Sequence, residues 1–173
     1  MNVQDIIKIF PDYPKEGINF YDINSVFASP HWPKYIQQMV DSVNAMPQRP
    51  THLVAVESRG FMIAGALSCA LSLPCVMVRK EGAKYPGLLY KQAYQLEYGE
   101  AVLTLQAEVL KADDRVLLVD DLIATGGSMR AAQLLIERSG AEVLGWLAVI
   151  NLAYIHQGNV HPNILSLVDI DKD

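Results

Sequence analysis

Two adjacent carboxylates, Asp120 and Asp121, close a run of four apolar residues, Val116 to Val119. After Leu122-Ile123-Ala124 comes a turn of small residues, Thr125-Gly126-Gly127-Ser128, and then a helix-like run. Carboxylates repel a phosphate but accept hydrogen bonds readily from hydroxyl groups. Paired glycines do the opposite job: they let the backbone turn tightly and bring several N–H groups up to an anion. The start of the following helix adds unpaired N–H groups and a partial positive charge. A ligand carrying both a phosphate and a diol, such as a sugar phosphate, satisfies the two halves together.

The elements that must hold these residues follow from the same stretch. A short apolar run suits a strand buried on both faces of a parallel sheet, and such a sheet binds ligands beyond its carboxyl edge. Neighbouring strands should therefore contribute their ends as well. His52–Val56 reads as one, ending at Glu57-Ser58-Arg59-Gly60, and Cys75–Arg79 as another, followed by Lys80. Val143–Ile150 and Ile164–Val168 complete the series. Helices are expected from Phe61, over Trp32–Val43 and beyond Ser128, with Gly140 as the last one's cap. The spacing of Val3, Ile6, Ile7 and Phe10 predicts a short amphipathic helix that Pro11 and Pro14 stop. Tyr94, Leu96 and Tyr98 alternate, as do Ala101, Leu103 and Leu105 across Gly99, which predicts a β-hairpin carried beyond the sheet by a mobile loop, Lys80 to Tyr90. Strands alternating with helices define an α/β chain with a parallel sheet covered on both faces.

The 173 residues are enough for one domain with a sizeable core, and the net charge of −5 is wrong for non-specific nucleic-acid binding. No cluster of Lys and Arg offsets it. Cys69 and Cys75 lie in apolar surroundings, have no metal-ligand partners nearby, and read as buried thiols of a cytoplasmic protein. The first residues show no basic region before an apolar core, so no secretory signal is expected. Gly60 to Val78 has no charged residue, but Pro74 breaks it, and it reads as a buried helix then a buried strand rather than a membrane span. His31, His52, His156 and His161 have no metal-like spacing and receive no role.

The strand, acid pair and T-G-G turn of Arg115–Ser128 resemble the phosphoribosyl-pyrophosphate signature of the type I phosphoribosyltransferases. Three further stretches resemble motifs of the adenine-specific members in the same order: Phe10 to Ile23, Val56 to Phe61, and Tyr94 to Gly99. The resemblance implies a type I phosphoribosyltransferase-like fold over residues 1–173, a mostly parallel sheet with helices on both faces. It also implies a small N-terminal hood (1–25) that contacts the base and a flexible catalytic β-hairpin loop (80–100). By that resemblance Asp120 and Asp121 hold the ribose 2′- and 3′-hydroxyls, and Ala124, Thr125, Gly126, Gly127 and Ser128 cradle the 5′-phosphate. Arg59, Lys80 and Lys84 lie near the pyrophosphate, with Arg59 and Glu97 as catalytic residues. The purine stacks between Phe20 and Leu122, the Asn19 main chain reads its edge, and Glu97 sits near N7.

The implied reaction transfers a phosphoribosyl group to adenine, giving AMP and pyrophosphate in purine salvage. The implied cofactor is Mg²⁺, chelated by the substrate's pyrophosphate and ribose hydroxyls, with at most water-mediated contact to Asp120 and Asp121. A homodimer is also implied, with no nucleic-acid or membrane partner. Two features depart from the family pattern: Tyr21 stands where a basic residue is common, and the loop from Lys80 to Glu97 is slightly longer. Base choice is therefore left open to hypoxanthine, xanthine or guanine, and a non-catalytic sensor of phosphoribosyl pyrophosphate is a second alternative. A nucleoside-triphosphate hydrolase is excluded, because no G-x-x-x-x-G-K-[ST] is present; Gly82 and Gly87 have the gap but precede Leu88-Leu89.

Overall fold

Runs of Val, Leu, Ile and Ala long enough for a strand but too short for a helix make up the centre of this chain. The computed structural model describes residues 1–95, 99–156 and 160–171. In chain order the elements begin with a 3₁₀ turn (Val3–Asp5), β1 (Lys8–Phe10), β2 (Phe20–Asp22), α1 (Asn24–Phe27) and α2 (Trp32–Asn44). Next come β3 (His52–Val56), α3 (Gly60–Leu71), β4 (Cys75–Lys80), β5 (Leu89–Gln95) and β6 (Glu100–Gln106). The chain continues through β7 (Arg115–Val119), β8 (Leu122–Ile123), α4 (Gly127–Arg138), β9 (Glu142–Asn151), a 3₁₀ turn (Ala153–Ile155) and β10 (Ile164–Asp169).

The main sheet runs in the order β10-β9-β7-β3-β4-β6-β5, parallel from β10 to β4. Successive side chains of a strand point to opposite faces, and the two cores follow that alternation. Leu53, Ala55, Leu117, Val119, Leu147 and Val149 pack with α2 and α3 on one face. Val54, Val56, Val116, Leu118, Trp146 and Ala148 pack with α4 on the other. Connections leave β3 through α3 toward one edge and leave β7 through α4 toward the other. The adjacent carboxyl ends of β3 and β7 thus form the switch point where an open α/β sheet has its crevice. Among the described residues no helix is long and apolar enough to cross a membrane.

Three expectations need correction. The first ten residues are not a helix: after the 3₁₀ turn, Lys8–Phe10 pairs antiparallel with Phe20–Asp22. Val3 alone of the four spaced apolar residues is buried, while Ile9 and Phe10 are about half exposed, at 53% and 49%. A helix this short gains little over its nucleation cost, and strand pairing satisfies the same backbone. The thiols are not buried either: Cys69 and Cys75 are free and exposed. Helix α3 is apolar around most of its circumference, yet only Gly60, Ile63, Ala64, Leu67 and Leu71 are buried. Its outer side carries Met62 and Cys69, and Cys75 and Met77 of β4 are exposed as well.

The hairpin is the third correction. It is not carried beyond the sheet; β6 pairs antiparallel with β4, Arg79 opposite Thr104 and Lys80 opposite Leu103. Strand β5 then forms the edge, pairing with β6 from Leu89–Gln106 to Gln95–Glu100. It also closes over α4, where Arg138 donates to the Lys91 carbonyl at 3.0 Å and lies 4.8 Å from the Tyr90 ring centre.

One glycine sets how closely α3 approaches the crevice. A Cβ at Gly60 would lie 2.9 Å from the Val119 carbonyl oxygen and 3.1 Å from the Asp120 Cα. Both are backbone atoms, so the strain cannot be relieved by a rotamer. Gly60→Ala is expected to destabilise the chain by about 1–3 kcal/mol, as overpacking does. Thermal unfolding should show it as a lower midpoint; an unchanged midpoint would mean that α3 has room to withdraw.

Candidate functional site

Each carboxyl end at the switch point delivers a different chemical group. Beyond β7 the chain turns through Asp120 and Asp121, both buried at 8% and 4% exposure. The Asp120 main chain continues the sheet by donating to the Leu147 carbonyl at 3.0 Å. The Asp121 N–H donates to the Asp120 Oδ1 at 2.9 Å, and the Asp121 carbonyl accepts from Val149 and Ile150. Strand β8 then holds Leu122 and Ile123 against β9. This two-residue strand was not anticipated, and it fixes the acids from behind.

Beyond β3, the Glu57–Ser58 peptide is cis. Arg59 follows and places its Nε 3.0 Å from the Asp121 Oδ2. The pair is close in charge terms, but that Oδ2 makes no hydrogen bond among the described residues. Burial pushes the carboxyl of Asp120 well above the ordinary carboxylate range, and the charge of Asp121 pushes it further. Burial also raises Asp121, against which the Arg59 guanidinium pulls it down. Asp121 is thus the more readily ionised member of the pair and Asp120 the more readily protonated one. Tyr94, across the cleft, is raised by burial and by the Asp120 charge.

The T-G-G turn has the geometry an anion requires. Gly126 has φ of +87°, which a glycine adopts freely, and it precedes α4 with no side chain capping the helix. A Cβ on Gly126 would meet Val160 at 2.9 Å and the Trp146 ring at 3.6 Å. Trp146, fully buried, therefore forms a floor beneath the turn. Its indole N–H donates to the Gln133 Oε1 of α4 at 2.9 Å, tying floor to helix.

These parts line one cleft of about 560 Å³: Glu57, Arg59, Lys80, Asp120, Asp121 and the turn from Ala124 to Ser128, with Tyr94 and Gln95 opposite. A second cavity of about 280 Å³ is bounded by Gly17 to Tyr21 and by Leu152, Tyr154 and Ile155. The two share Arg59, Leu122 and Ala124. Asn19 and Phe20 lie in the second cavity as the sequence predicts, and Phe20 is held edge-on by Tyr13, with ring centres 5.3 Å apart. Lys84 is the exception: it is exposed and lines neither cavity. Glu97 lies outside the described residues. Among those described, no group of three His, Cys, Asp or Glu side chains is placed to hold a metal.

Glu57, which the sequence places at a strand end facing the site, has a bracing role not anticipated there, and Leu152, Tyr154 and Ile155 were not anticipated at all. Glu57 takes the Lys80 main-chain N–H at 2.8 Å and lies 3.5 Å from the Arg79 Nε, fastening the ends of β3 and β4 together. Leu152, Tyr154 and Ile155 follow β9, whose carboxyl end points to the same edge; that position was the available signal.

A phosphoribosyl transferase domain model matches residues 31–162, which contain the acids, the turn and the central parallel strands. That fixes the class of protein. An adenine phosphoribosyltransferase of Rhodospirillum centenum is 40% identical over 157 residues, covering 90% of each chain. One from Synechocystis is 37% identical over 172 residues, covering 98% of this chain and 99% of its own. The adenine phosphoribosyltransferase of Saccharomyces cerevisiae, crystallised with an imino-altritol bisphosphate and adenine, is 32% identical, with a TM-score of 0.85 over 96% of each chain. The chain belongs to the adenine phosphoribosyltransferase family.

The raised pKa of Asp120 has a definite consequence for stability. A carboxyl whose folded value lies above its unfolded one favours folding below the unfolded value, about 4, and loses that contribution as pH rises through the folded value. Asp120→Asn removes the ionisation cost and keeps an oxygen for the Asp121 N–H. The ligand-free variant should therefore melt higher than the parent at neutral pH, with the gap shrinking toward pH 4. A lower melting midpoint at neutral pH would contradict the assignment.

Proposed function

We propose that the chain transfers the phosphoribosyl group of phosphoribosyl pyrophosphate to N9 of adenine, releasing AMP and pyrophosphate. The observation that carries this reading is the junction of the two cavities. One is lined by an anion-binding turn and buried acids, the other by an aromatic ring and aliphatic walls, and they meet over Leu122 and Ala124. A sugar phosphate in the first and a flat base in the second would face each other across that junction.

The residues divide the work by chemistry. Thr125 to Ser128, with Ala124, offer N–H groups to the 5′-phosphate. Asp120 and Asp121 accept from the ribose 2′- and 3′-hydroxyls, and the negative charge the pair carries stabilises the ring as it becomes oxocarbenium-like when the bond at C1′ breaks. Arg59, on the rim of both cavities, and Lys80 offset charge on the departing pyrophosphate. The Lys80 main-chain N–H is already taken by Glu57, which holds its backbone while the ammonium stays available. Phe20 and Leu122 sandwich the purine, a contact worth about 1–3 kcal/mol and tolerant of base identity. Discrimination falls to the base edge, read by the Asn19 main chain. A site built to pair with a 6-amino group rejects a 6-oxo base because buried polar atoms would go unpaired. Glu97 hydrogen-bonds at N7 and manages the purine proton.

The acid pair also fits the Mg²⁺ the reaction calls for. Two buried carboxylates with no third ligating side chain among the described residues make a poor cage for a metal on their own. They suit an ion held chiefly by oxygens of the substrate, in contact with them through water. Bound in this way, the metal supplies neutralisation of the pyrophosphate charge.

The exposed apolar side chains Met62 and Cys69 of α3 and Cys75 and Met77 of β4 support a homodimer in which a second copy covers these two elements. The two free thiols among them fit a reducing, cytoplasmic setting.

A pyrophosphate-release assay with Mg²⁺, phosphoribosyl pyrophosphate and each purine base in turn tests the proposal. Turnover is expected with adenine and at least a hundredfold less, as an order of magnitude, with hypoxanthine, xanthine or guanine. Glu97→Ala should slow turnover by about 10²–10⁴ while leaving phosphoribosyl-pyrophosphate affinity largely intact. Equal losses of rate and affinity would remove Glu97 from that role, and stable binding with no pyrophosphate released would overturn catalysis itself.

A further inference from the structure

One wall of the smaller cavity is built from Leu152, Tyr154 and Ile155, on the 3₁₀ turn that follows β9 and the residue that leads into it. Such a turn has weak internal hydrogen bonding and keeps its shape only when fastened at its ends. The residue that leads into it is fastened by the backbone: the Leu152 N–H donates to the Ile123 carbonyl at 2.8 Å. Its far end is fastened by side chains. His156, just past the turn, places its Nε2 2.8 Å from the Oδ1 of Asn151, just before it.

The chemistry of Asn151 fixes the direction of that bond. Asn151 is buried at 6% exposure, and its Nδ2 donates to the Asp169 Oδ1 of β10 at 2.8 Å. The same Asp169 oxygen accepts from the Ser166 hydroxyl at 2.7 Å. With the amide nitrogen committed to a carboxylate, the amide oxygen is the acceptor, and His156 must donate from Nε2–H. A chain of donors thus runs from His156 through Asn151 to Asp169, anchoring the turn in the last strand of the sheet. Neither Asn151 nor His156 lines either of these two cavities; both act on residues that line the smaller one.

We propose that the Asn151–His156 bond is a positioning brace for the base. It sets the distance of the Leu152, Tyr154 and Ile155 wall from Phe20 and Leu122, and so the width of the slot a flat heterocycle enters. The inference rests on the base occupying this cavity. Cutting the brace should loosen the wall and weaken binding of the base, while the acids and the phosphate-binding turn, held by β7, β8 and α4, keep their arrangement.

His156→Leu removes the donor, and His156→Gln restores an N–H at a similar reach. Steady-state kinetics should show KM for adenine raised about three- to tenfold in His156→Leu, the loss of one hydrogen bond. KM for phosphoribosyl pyrophosphate and kcat should stay within about twofold of the parent, and His156→Gln should return adenine KM most of the way. An unchanged adenine KM, an equal rise in both KM values, or no recovery with glutamine would overturn the brace. A parent chain that turns over no adenine would instead overturn the assignment of the base to this cavity.

Discussion

The structure depends on an unfavourable arrangement: two adjacent carboxyl groups buried at the carboxyl edge of the sheet, with the half-exposed Arg59 guanidinium beside one of them. Burying a charge without full pairing is among the costliest things a fold can do. Here the cost is moderated in three ways. Asp120 is biased toward its protonated form, Asp121 has Arg59 at 3.0 Å, and the Asp120 Oδ1 accepts a main-chain N–H. What is left over is the Asp121 Oδ2, near a positive charge yet without a hydrogen bond among the described residues. An arrangement short of donors is prepared for a ligand that brings them, and a ribose diol brings two.

Much of the architecture can be read as support for that arrangement. The connections after β3 and β7 leave toward opposite edges of the parallel sheet, which opens the crevice. Gly60 allows α3 to start close against the Asp120 backbone, and β8 ties the residues after the acids to β9. The buried Trp146 and its partner Gln133 hold the floor of the phosphate-binding turn. Asn151 does a comparable job for the second cavity from β9. Buried amides recur as fasteners because they satisfy polar partners without adding charge to a site that already carries too much.

The central parallel strands and the lining of the main cleft were legible in the sequence because their signals are local. An apolar run ending in two acids, a T-G-G turn and an arginine following a strand each report their own environment. The rest depended on pairing partners distant in the chain. Lys8–Phe10 has a helix-like spacing of apolar residues, and only its contact with Phe20–Asp22 makes it a strand. Helix α3 is apolar on nearly all sides, so no periodicity could tell Cys69 on its outer face from Leu67 in the core. The hairpin was legible as a hairpin, but its attachment to β4 was not, since the register of Arg79 with Thr104 leaves no mark on either segment. Lys84 was placed by loop resemblance alone, and a loop that differs in length carries such an assignment poorly. His156 was passed over for want of metal-like spacing, a test that cannot detect a histidine acting as a brace.

If the acid pair is held short of hydrogen-bond donors until a diol arrives, binding must shift its protonation. Calorimetric titration of phosphoribosyl pyrophosphate with Mg²⁺ at mildly acidic pH, in buffers of different ionisation enthalpy, measures that shift directly. The expected result is net proton release on binding by the parent chain, reduced in Asp120→Asn. Binding with no proton exchanged, or with the same exchange in that variant, would contradict the account.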